Sequence, residues 1–342
     1  MTKLPKVAVV ILNWNGLDFL RRFLPYVCAS TYSNLDIIVG DNASNDDSVS
    51  FLRENYPQIK ISINDQNYGF AGGYNRVLSE LDHDYYVLLN SDVEVEPGWI
   101  EPVIQLMEKD ISIAAAQPKI LSQSNKKLFE YAGAAGGFLD IFGYPFCRGR
   151  IFDSVEVDSS QYDKSSEIFW ASGAAFFIKR SNWLEMNGLD EDFFAHMEEI
   201  DLCWRLKNNN YKIMYCAEST VFHVGGGTLK AENPFKTYLN FRNNLVLLQK
   251  NLPIARAIAI IFLRFWLDLL SLFKYLLDGK PKNAWAISKA HVFFIRNIAR
   301  NSAKSRLIPK HTFNKNGLYS GSIVWNYFVS NKKTFTSLKK TF

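Results

Sequence analysis

Asn90 and Asp92 stand two positions apart in the stretch LLNSDVEVEPGWI, residues 88–100, directly after an apolar run that predicts a β-strand. Side-chain oxygen atoms of this kind suit the hard cations Mg²⁺ and Mn²⁺, which can carry a diphosphate. The alternative is an Asx-type turn that only ends the strand, because Asn and Asp bond readily to their own backbone. The stretch therefore predicts either a metal-diphosphate site or a turn, with Ser91 between the two side chains.

Three acidic residues lie within four positions in the stretch FFAHMEEIDLCWRL, residues 193–206. A helix here would place Asp201 four residues before Arg205, so this acid has a partner of opposite charge. Glu198 and Glu199 have no basic residue at helical spacing on their N-terminal side, and aromatic residues flank them. An isolated carboxylate is costly in an apolar setting. We therefore expect Glu198 and Glu199 to face a cleft or to meet a cation.

Four short apolar runs, rich in β-branched residues, alternate with stretches of helical spacing in the first half of the chain. They cover residues 7–12, 35–39, 59–63 and 85–89. This alternation predicts an α/β domain with a mostly parallel sheet covered on both faces. Ligands of such sheets bind at the carboxyl ends of the strands. The polar residues expected at those ends are Asn13, Asn15, Asp41, Asn42, Asn64, Asn67, Asn90, Ser91 and Asp92.

The loop NYGFAGGYN, residues 67–75, follows the third predicted strand and runs into a predicted helix. Its glycines would let the backbone approach a ligand closely, and the start of the helix would offer free N–H groups to an anion. A plain glycine turn is the alternative. The first strand is not followed by the G-x-G-x-x-G motif, which argues against a nicotinamide oxidoreductase.

The overall charge of +5 conceals two regions of opposite sign. Residues 251–342 hold 16 lysines and arginines against two aspartates, a net charge of +14, which leaves −9 for residues 1–250. The basic region lacks a recognisable nucleic-acid-binding module, and long apolar segments separate its charges. We therefore expect it to meet anionic lipid and no nucleic acid.

Residues 254–277 form a mostly apolar stretch whose four charges would fall on one helical arc of about 120°. This pattern favours a helix lying on a membrane surface over one that crosses the membrane. The alternative is packing against the rest of the chain or against a second subunit, which would make an oligomer. The four charged residues are Arg256, Arg264, Asp268 and Lys274.

The cysteines and the N-terminus bear on the compartment. The four cysteines are widely spaced and form no C-x-x-C pair, so neither a zinc ribbon nor a disulfide framework is indicated. The apolar run before Asn13 is six residues long, too short for the apolar core of a signal peptide. We therefore expect a cytoplasmic protein.

Seven stretches, taken in order, resemble the family 2 glycosyltransferases, and the nearest subgroup is the rhamnosyl-type transferases that build bacterial surface polysaccharides. The resemblance spans roughly residues 5–250 and implies the GT-A fold, a Rossmann-like nucleotide-sugar-binding domain, followed here by a helical region at 251–342. It also implies a divalent cation, Mn²⁺ or Mg²⁺, and inversion of the anomeric centre. The stretches are VAVVILNWNG, the residues from Asp41 to Asp46, NYGFAGGYN, LLNSDVE, WASGAAFFIKR, FFAHMEEIDLCWRL and FHVGGGT.

The resemblance also implies roles for particular residues. Asp92 ends the family's D-x-D motif and binds the metal, while Asn90 stands where the first aspartate is usual. His223 completes the metal site in related transferases, although a single histidine here can also be structural. Asp41 contacts the base or the ribose of the nucleotide. The residues implied for the nucleotide-sugar site are Asn13, Asn15, Asp41, Asn67, Gly69, Phe70, Asn75, Asn90 and Ser91.

By the same resemblance, the acidic stretch matches the Glu-Asp pair that supplies the base for the acceptor hydroxyl. Glu199 stands at the second position, where glutamate keeps the carboxylate and adds one methylene. The base is therefore Glu199 or, with a slight rotation of the helix, Glu198, and partial burial would raise its pKa. The residues expected on the acceptor side are Trp170, Ser172 and Gly173.

Together these features predict a transferase that moves a sugar from a nucleoside diphosphate to a hydroxyl of a glycan or lipid-linked glycan. We expect it on the inner face of the cytoplasmic membrane, held there by residues 251–342. The alternative is a nucleotide-sugar-binding or scaffold protein without activity, because Asn90 and Glu199 both depart from the commonest family residues.

Overall fold

The computed structural model of the chain describes residues 4–130, 132–225, 233–308 and 314–338. Residues 226–228 of the FHVGGGT stretch lie outside these ranges. The strands are β1 (Val7–Asn13), β2 (Leu35–Asp41), β3 (Lys60–Ile63), β4 (Tyr85–Asn90), β5 (Val93–Val95), β6 (Ile113–Ser122), β7 (Gly137–Leu139), β8 (Pro145–Cys147), β9 (Arg150–Ile151), β10 (Ser154–Val155), β11 (Ser166–Ile168), β12 (Ala175–Lys179) and β13 (Lys212–His223).

Helices connect and cover these strands. After β13 the described residues form helices and no further strand of the sheet. They are α1 (Leu17–Cys28), α2 (Ser48–Asn55), α3 (Gly69–Ser79), α4 (Ile100–Lys109), α5 (Arg180–Glu185), α6 (Glu198–Asn208), α7 (Pro234–Asn251), α8 (Ile254–Leu277), α9 (Pro281–Arg296), α10 (Ile298–Arg306) and α11 (Ile323–Phe328).

Nine strands of the described chain form one mixed sheet in the order β11-β13-β6-β12-β4-β1-β2-β3, and β5 pairs with the end of β13. Strands β3, β2, β1 and β4 run parallel to one another. Strand β12 is antiparallel to both of its neighbours, β4 and β6, and β13 runs parallel to β6. The predicted α/β fold with a mostly parallel sheet is confirmed, and each of the four apolar runs forms a strand.

Both faces of the sheet are covered, which explains why β1 is apolar throughout. Ala8 and Val10 pack into one hydrophobic cluster, and Val7 and Val9 pack into the cluster on the opposite face. Because successive side chains of a strand point to opposite faces, a strand between two cores needs apolar residues at every position. The polar residues are left to the strand ends, where the crevice lies.

The helices after residue 250 pack directly on the first part of the chain. Helix α7 lies against α6, α8, α9 and α10. Two of the four charged residues of α8, Arg264 and Asp268, are buried and pair at 3.2 Å. His291 of α9 lies 3.1 Å from Asp268. Among the described residues, no helix is both long and apolar enough to span a membrane. The division into residues 1–250 and 251–342 stays a prediction.

Candidate active site

The ends of β1 and β2 form one wall of the crevice. Asn13 is the last residue of β1, and its Nδ2 donates to Oδ1 of Asp41 at 3.1 Å and to Oγ of Ser44 at 3.2 Å. Asp41 also accepts a hydrogen bond from the backbone N–H of Ser44 at 2.9 Å. Oδ1 of Asn13 is buried and has no hydrogen-bond partner among the described residues. A buried polar atom without a partner is unusual, so this atom marks a place where a ligand can bond.

Asn15 and Ser91 lie around the same wall. Asn15 has a left-handed backbone, with φ of 51°, and its side chain accepts a hydrogen bond from the N–H of Asn45 at 2.7 Å. Ser91 lies opposite the turn after β1, since a Cβ added at Gly16 would be 3.6 Å from its Oγ. The structure therefore brings Asn13, Asn15 and Ser91 to one edge, as the strand pattern predicts.

Asn42, one of the amides expected at the strand ends, joins the end of β2 to the glycine loop. Its Nδ2 donates to Oδ1 of Asn67 at 2.9 Å and to the carbonyl of Gly69 at 3.0 Å. Its Oδ1 accepts from Nδ2 of Asn64 at 3.0 Å and from the N–H of Tyr68 at 3.2 Å. Its position directly after Asp41 at a strand end was the available signal. Asn42 thus fixes the loop that opens α3.

The other two predicted loop residues have mainly structural contacts. Asn75 exchanges two hydrogen bonds with the backbone of Leu189, at 2.9 and 3.0 Å, so it ties α3 to the segment that precedes α6. The ring of Phe70 stacks edge-on against Tyr74 with centroids 4.7 Å apart. The N–H groups of Phe70 and Ala71 both donate to the carbonyl of Phe194, at 2.8 and 3.2 Å. The glycine loop and the acidic stretch are therefore in direct contact.

The metal candidates Asp92 and His223 are brought together by strand pairing. Strand β13 pairs with β5 so that His223 lies opposite Val93, the residue after Asp92. Nε2 of His223 lies 3.1 Å from Oδ1 of Asp92, and Nδ2 of Asn90 lies 3.4 Å from the same nitrogen. Both Asp92 and His223 are buried. Their pairing across 131 residues of chain could not be read from spacing alone.

Glu130 is a site residue that the sequence analysis missed. Its Oε2 lies 3.3 Å from Nδ1 of His223, on the side of the ring away from Asp92. Gly225 packs on it so closely that an added Cβ would be 2.5 Å from Oε1 of Glu130. Burial alone would lower the pKa of His223, but contact with the carboxylates of Asp92 and Glu130 raises it to about 10.

A divalent cation fits this group of side chains. Asp92 offers a carboxylate oxygen, and His223 offers a ring nitrogen once a cation displaces its proton. Oε2 of Glu130 lies 3.3 Å from the other ring nitrogen, and its charge favours one orientation of the ring. No group of three or more His, Cys, Asp or Glu side chains suited to a metal occurs among the described residues. Asp92 and His223 would therefore hold the ion together with the diphosphate of a bound nucleotide and water.

The two candidate bases differ in exposure. Helix α6 begins at Glu198, which is buried, whereas Glu199 is partly exposed. Oε2 of each carboxylate has no hydrogen-bond partner among the described residues. Burial raises the pKa of Glu199 to about 7; burial and then the charge of Glu199 raise the pKa of Glu198. Of the two, Glu199 is the more exposed residue, and its pKa is close to the value that a general base needs.

Asp201 has the structural role expected from its spacing. It forms the i,i+4 ion pair with Arg205 at 2.8 Å, and Nζ of Lys250 lies 2.7 Å from the same oxygen. Burial alone would raise the pKa of Asp201, but Lys250 and Arg205 lower it. The second oxygen accepts from Nδ2 of Asn251 at 2.8 Å. Asp201 therefore anchors α6 to α7 and remains ionised.

Trp170, Ser172 and Gly173 lie behind the crevice. Trp170 is 6% exposed, and its indole N–H donates to the carbonyl of Phe138 at 3.0 Å. Ser172 is 2% exposed, and its hydroxyl donates to the carbonyl of Ala132 at 2.8 Å. A Cβ added at Gly173 would be 3.0 Å from the ring of Phe70. The structure thus brings Gly173 to the glycine loop and gives Trp170 and Ser172 internal partners; their acceptor role stays a prediction.

The metal candidates and the candidate base lie on the same side of the domain. The side chain of Asn90 lies 3.4 Å from His223, and the N–H of Asn90 donates to the carbonyl of Ala174 at 3.1 Å. The preceding residue, Gly173, lies against the ring of Phe70, whose N–H donates to the carbonyl of Phe194, so direct contacts link His223 to the segment that leads into α6. The crevice therefore has an amide-lined wall, a His-Asp pair and a carboxylate of raised pKa.

The mixed sheet, with polar residues at its strand ends, has the architecture of the GT-A fold. Residues 8–145 match the family model described as glycosyl transferase family 2. The N-acetylglucosaminyl-diphospho-decaprenol L-rhamnosyltransferase of Mycobacterium tuberculosis is 22% identical over 233 residues, 64% of this chain and 75% of that protein. Residues 8–145 therefore carry a glycosyltransferase family 2 domain, and the chain resembles the rhamnosyltransferases.

Solved structures agree on the fold. The structure of GalNAc-T7 with UDP, GalNAc and Mn²⁺ gives a TM-score of 0.56 at 16% identity and covers 73% of this chain, which spans only 48% of that one. The mannosyltransferase PcManGT of Pyrobaculum calidifontis, in complex with GDP-Man and Mn²⁺, gives 0.51 at 12% identity, with 89% and 85% covered. At such low identity the likeness establishes the GT-A fold alone.

Proposed function

We propose that the enzyme transfers a sugar from a nucleoside-diphosphate sugar to a hydroxyl of a glycan or lipid-linked glycan, with inversion and with the help of a divalent cation. The observation that carries the proposal is the pairing of Asp92 with His223 at 3.1 Å in the crevice that also holds Glu199. The M. tuberculosis relative is named for a diphospho-decaprenol acceptor, and both solved structures contain Mn²⁺, which supports the acceptor class and the ion.

Each part of the crevice then has a task. Asp41 and the unpaired Oδ1 of Asn13 bind the base or the ribose, and the loop held by Asn42 lies beside the diphosphate. A divalent cation held by Asp92 and His223 would supply positive charge against the developing charge of the leaving diphosphate. Because the side chains are already fixed by hydrogen bonds, little reorganisation is needed when the donor binds.

Glu199 removes the proton of the acceptor hydroxyl. The acceptor oxygen then forms a bond to the anomeric carbon of the sugar, while the bond from that carbon to the diphosphate oxygen breaks. The proton stays on Glu199, and the electron pair leaves with the nucleoside diphosphate. A single displacement of this kind inverts the configuration of the anomeric carbon. The raised pKa of Glu199 makes its carboxylate a stronger base than an exposed glutamate.

We also propose that the C-terminal helices bind the cytoplasmic face of a membrane. Helix α8 buries Arg264 and Asp268 and turns its apolar arc outward, the reverse of an ordinary surface helix. A contiguous apolar surface of this kind marks an interaction site. The exposed apolar residues of α8, which we call the α8 apolar face, are Ile254, Ile258, Phe262, Leu263, Trp266, Leu269, Leu270, Phe273, Leu276 and Leu277.

Basic residues around the α8 apolar face favour lipid as its partner. Arg256 and Lys274 of α8 and Lys282 and Lys289 of α9 are exposed. Apolar insertion and attraction to anionic headgroups strengthen each other in interfacial helices. A surface of this kind would keep the crevice near an acceptor that is itself embedded in the membrane by its lipid. A second copy of the chain is the competing occupant, and it would be recognised by dimerisation without lipid.

Release of nucleoside diphosphate tests the proposed reaction. The full chain is incubated with a panel of nucleoside-diphosphate sugars, with Mn²⁺ or with a chelator, in the presence and absence of a lipid-diphosphate-linked sugar as acceptor. We expect release that requires both metal and acceptor for one donor, and a product of inverted configuration by NMR. Donor binding without acceptor-dependent release would instead support a nucleotide-sugar-binding protein without activity.

A further inference from the structure

The segment that leads into α6 has an unusual backbone. Phe194, His196 and Met197 all have left-handed φ angles, of 64°, 67° and 74°. Such angles are uncommon for residues with a side chain and persist only where neighbouring groups hold them. This segment, residues 193–197, is called the acid loop below. Because it ends at Glu198, whatever holds the acid loop also sets the position of the candidate base.

Asn243 of α7 holds the acid loop. Its Nδ2 lies within hydrogen-bond distance of three carbonyls of the loop: Phe193 at 3.0 Å, Ala195 at 2.9 Å and His196 at 2.7 Å. Asn243 is 1% exposed, so water cannot replace it. The loop carbonyls that its left-handed backbone turns inward would otherwise be buried without partners, which is costly.

Arg242 fixes the orientation of that amide. Nε of Arg242 donates to Oδ1 of Asn243 at 2.7 Å, so the NH₂ group of the asparagine must face the acid loop. Nη2 of Arg242 itself donates to the carbonyls of Asp192 and Phe193, at 3.0 and 2.8 Å. Two adjacent residues of α7 therefore donate to the carbonyls of residues 192, 193, 195 and 196, and the carbonyl of residue 194 is left out.

The carbonyl of Phe194 faces the glycine loop instead of α7. It accepts the N–H groups of Phe70 and Ala71 at the start of α3, and the carbonyl of Met197 accepts the N–H of Asp201 in the first turn of α6. The acid loop is thus hydrogen-bonded to α7, to the start of α3 and to the first turn of α6. Its position determines how the base is placed relative to the donor.

We propose that Arg242 and Asn243 are positioning residues for the transfer reaction, acting on the acid loop to place Glu199 beside the donor. Neither touches a reacting atom. The effect on rate rests on the proposed function, whereas the effect on the acid loop does not. The chain offers a matched control in Asn244, which is also buried, at 2%, but donates to the carbonyl of Gly143 at 2.7 Å and forms no hydrogen bond with the acid loop.

Hydrogen–deuterium exchange of the full chain tests the holding role without a substrate. In Asn243→Ala we expect amides of residues 194–201 and of Phe70 and Ala71 to exchange at least about tenfold faster, because their hydrogen-bond network loses its anchor. Asn243→Asp has the same shape but no N–H donor, and it should behave like Asn243→Ala. Asn244→Ala should instead speed exchange around residues 140–144. Equal exchange of the acid loop in all variants would overturn the proposal.

Kinetics tests the consequence for transfer. We expect kcat of Asn243→Ala to fall on the order of 10²-fold, while the dissociation constant of nucleoside diphosphate with Mn²⁺ changes less than about fivefold. Asn244→Ala should keep kcat within about threefold, at a similar loss of melting temperature. Equal losses in the two variants would mean that Asn243 serves stability alone. A wild-type enzyme that turns over no donor would contradict the proposed function, and the exchange result would still decide the role of Asn243.

Discussion

Nε2 of His223 lies 3.1 Å from Oδ1 of Asp92, where the end of β13 pairs with β5 beside the turn after β4. Both residues are buried, and together they offer one nitrogen and one oxygen to a cation. We predict that Asp92→Ala reduces the enhancement of nucleoside diphosphate binding by Mn²⁺ at least about tenfold, and that His223→Ala has a smaller effect. Titration calorimetry with and without Mn²⁺ measures this.

The chain contains a control for that substitution. His83 and Asp36 form another His-Asp pair, at 2.9 Å, next to the opposite end of the strands. Asp36→Ala should leave the Mn²⁺ effect unchanged. If Asp92→Ala also left it unchanged, Asp92 would be a turn residue and the metal site would lie elsewhere.

Glu130 gives a second prediction about the metal. Its Oε2 lies 3.3 Å from Nδ1 of His223, an ion-pair contact that favours one orientation of the ring without making Glu130 a ligand. Mutation of a residue that contacts a metal ligand, but not the metal, typically weakens metal binding by about 10- to 100-fold. We expect Glu130→Gln to weaken Mn²⁺ binding within that range while nucleotide binding without metal is unchanged. Wild-type Mn²⁺ affinity in this variant would show that the contact has no part in the site.

The pKa of Glu199, raised by burial from 4.5 to about 7, predicts a pH dependence. A base must be ionised, so kcat/KM should fall with a slope of about one as the pH drops below about 7. The folded state favours the protonated carboxyl. The free energy of unfolding therefore decreases as the pH rises from the pKa of Glu199 in the unfolded chain to its pKa in the folded protein. Glu199→Gln should therefore raise the melting temperature at pH 8 relative to wild type, and less so at pH 5.

Calorimetric or fluorescence melting at the two pH values measures that difference. An acid limb centred near pH 4.5, together with equal melting temperatures of wild type and Glu199→Gln at pH 8, would show that Glu199 is an ordinary solvated glutamate.

The α8 apolar face predicts binding to vesicles. We expect the full chain to co-sediment with anionic vesicles more than with neutral ones, and salt to weaken this binding without abolishing it, because only the electrostatic part is screened. Phe262→Glu and Trp266→Glu should reduce binding by about tenfold or more each. Ile111→Glu is the control, since Ile111 is 89% exposed and lies outside the C-terminal helices.

Point variants of the full chain are preferable to truncation at residue 250, because α8, α9 and α10 all pack on α7. Equal sedimentation of the two α8 variants and Ile111→Glu would contradict a lipid-binding role. Dimers that dissociate in Trp266→Glu would assign the α8 apolar face to a second copy of the chain.

The sequence predicted those features that depend on local pattern. Apolar runs marked β1 to β4, and parallel pairing then required Asn13, Asp41 and Asp92 to meet at one edge. The i,i+4 spacing of Asp201 and Arg205 gave their ion pair. In each case the deciding interaction lies within a few residues or follows from the strand direction.

Features that depend on long-range register could not be predicted. Glu130, which follows β6, reaches His223 only because β6 pairs with β13. In that pairing Ser122 lies opposite His223. Asn243 reaches His196 across 47 residues of chain, with no periodicity to indicate it. The rotation of α6 decides which of the two glutamates is exposed: Glu198 is buried and Glu199 is partly exposed. A rotation of this size has no signature in residue types.

The most direct test of the account compares Glu199→Gln with Glu198→Gln in a single-turnover transfer assay, alongside calorimetry of donor nucleotide binding. Glutamine keeps the shape of each side chain and removes its basicity, and loss of a general base costs about 10² to 10⁴ in rate. We predict a loss of that size in Glu199→Gln with nucleotide binding unchanged, and a clearly smaller loss in Glu198→Gln. Full transfer by Glu199→Gln, with Glu198→Gln inactive, would contradict the assignment of Glu199 as the base.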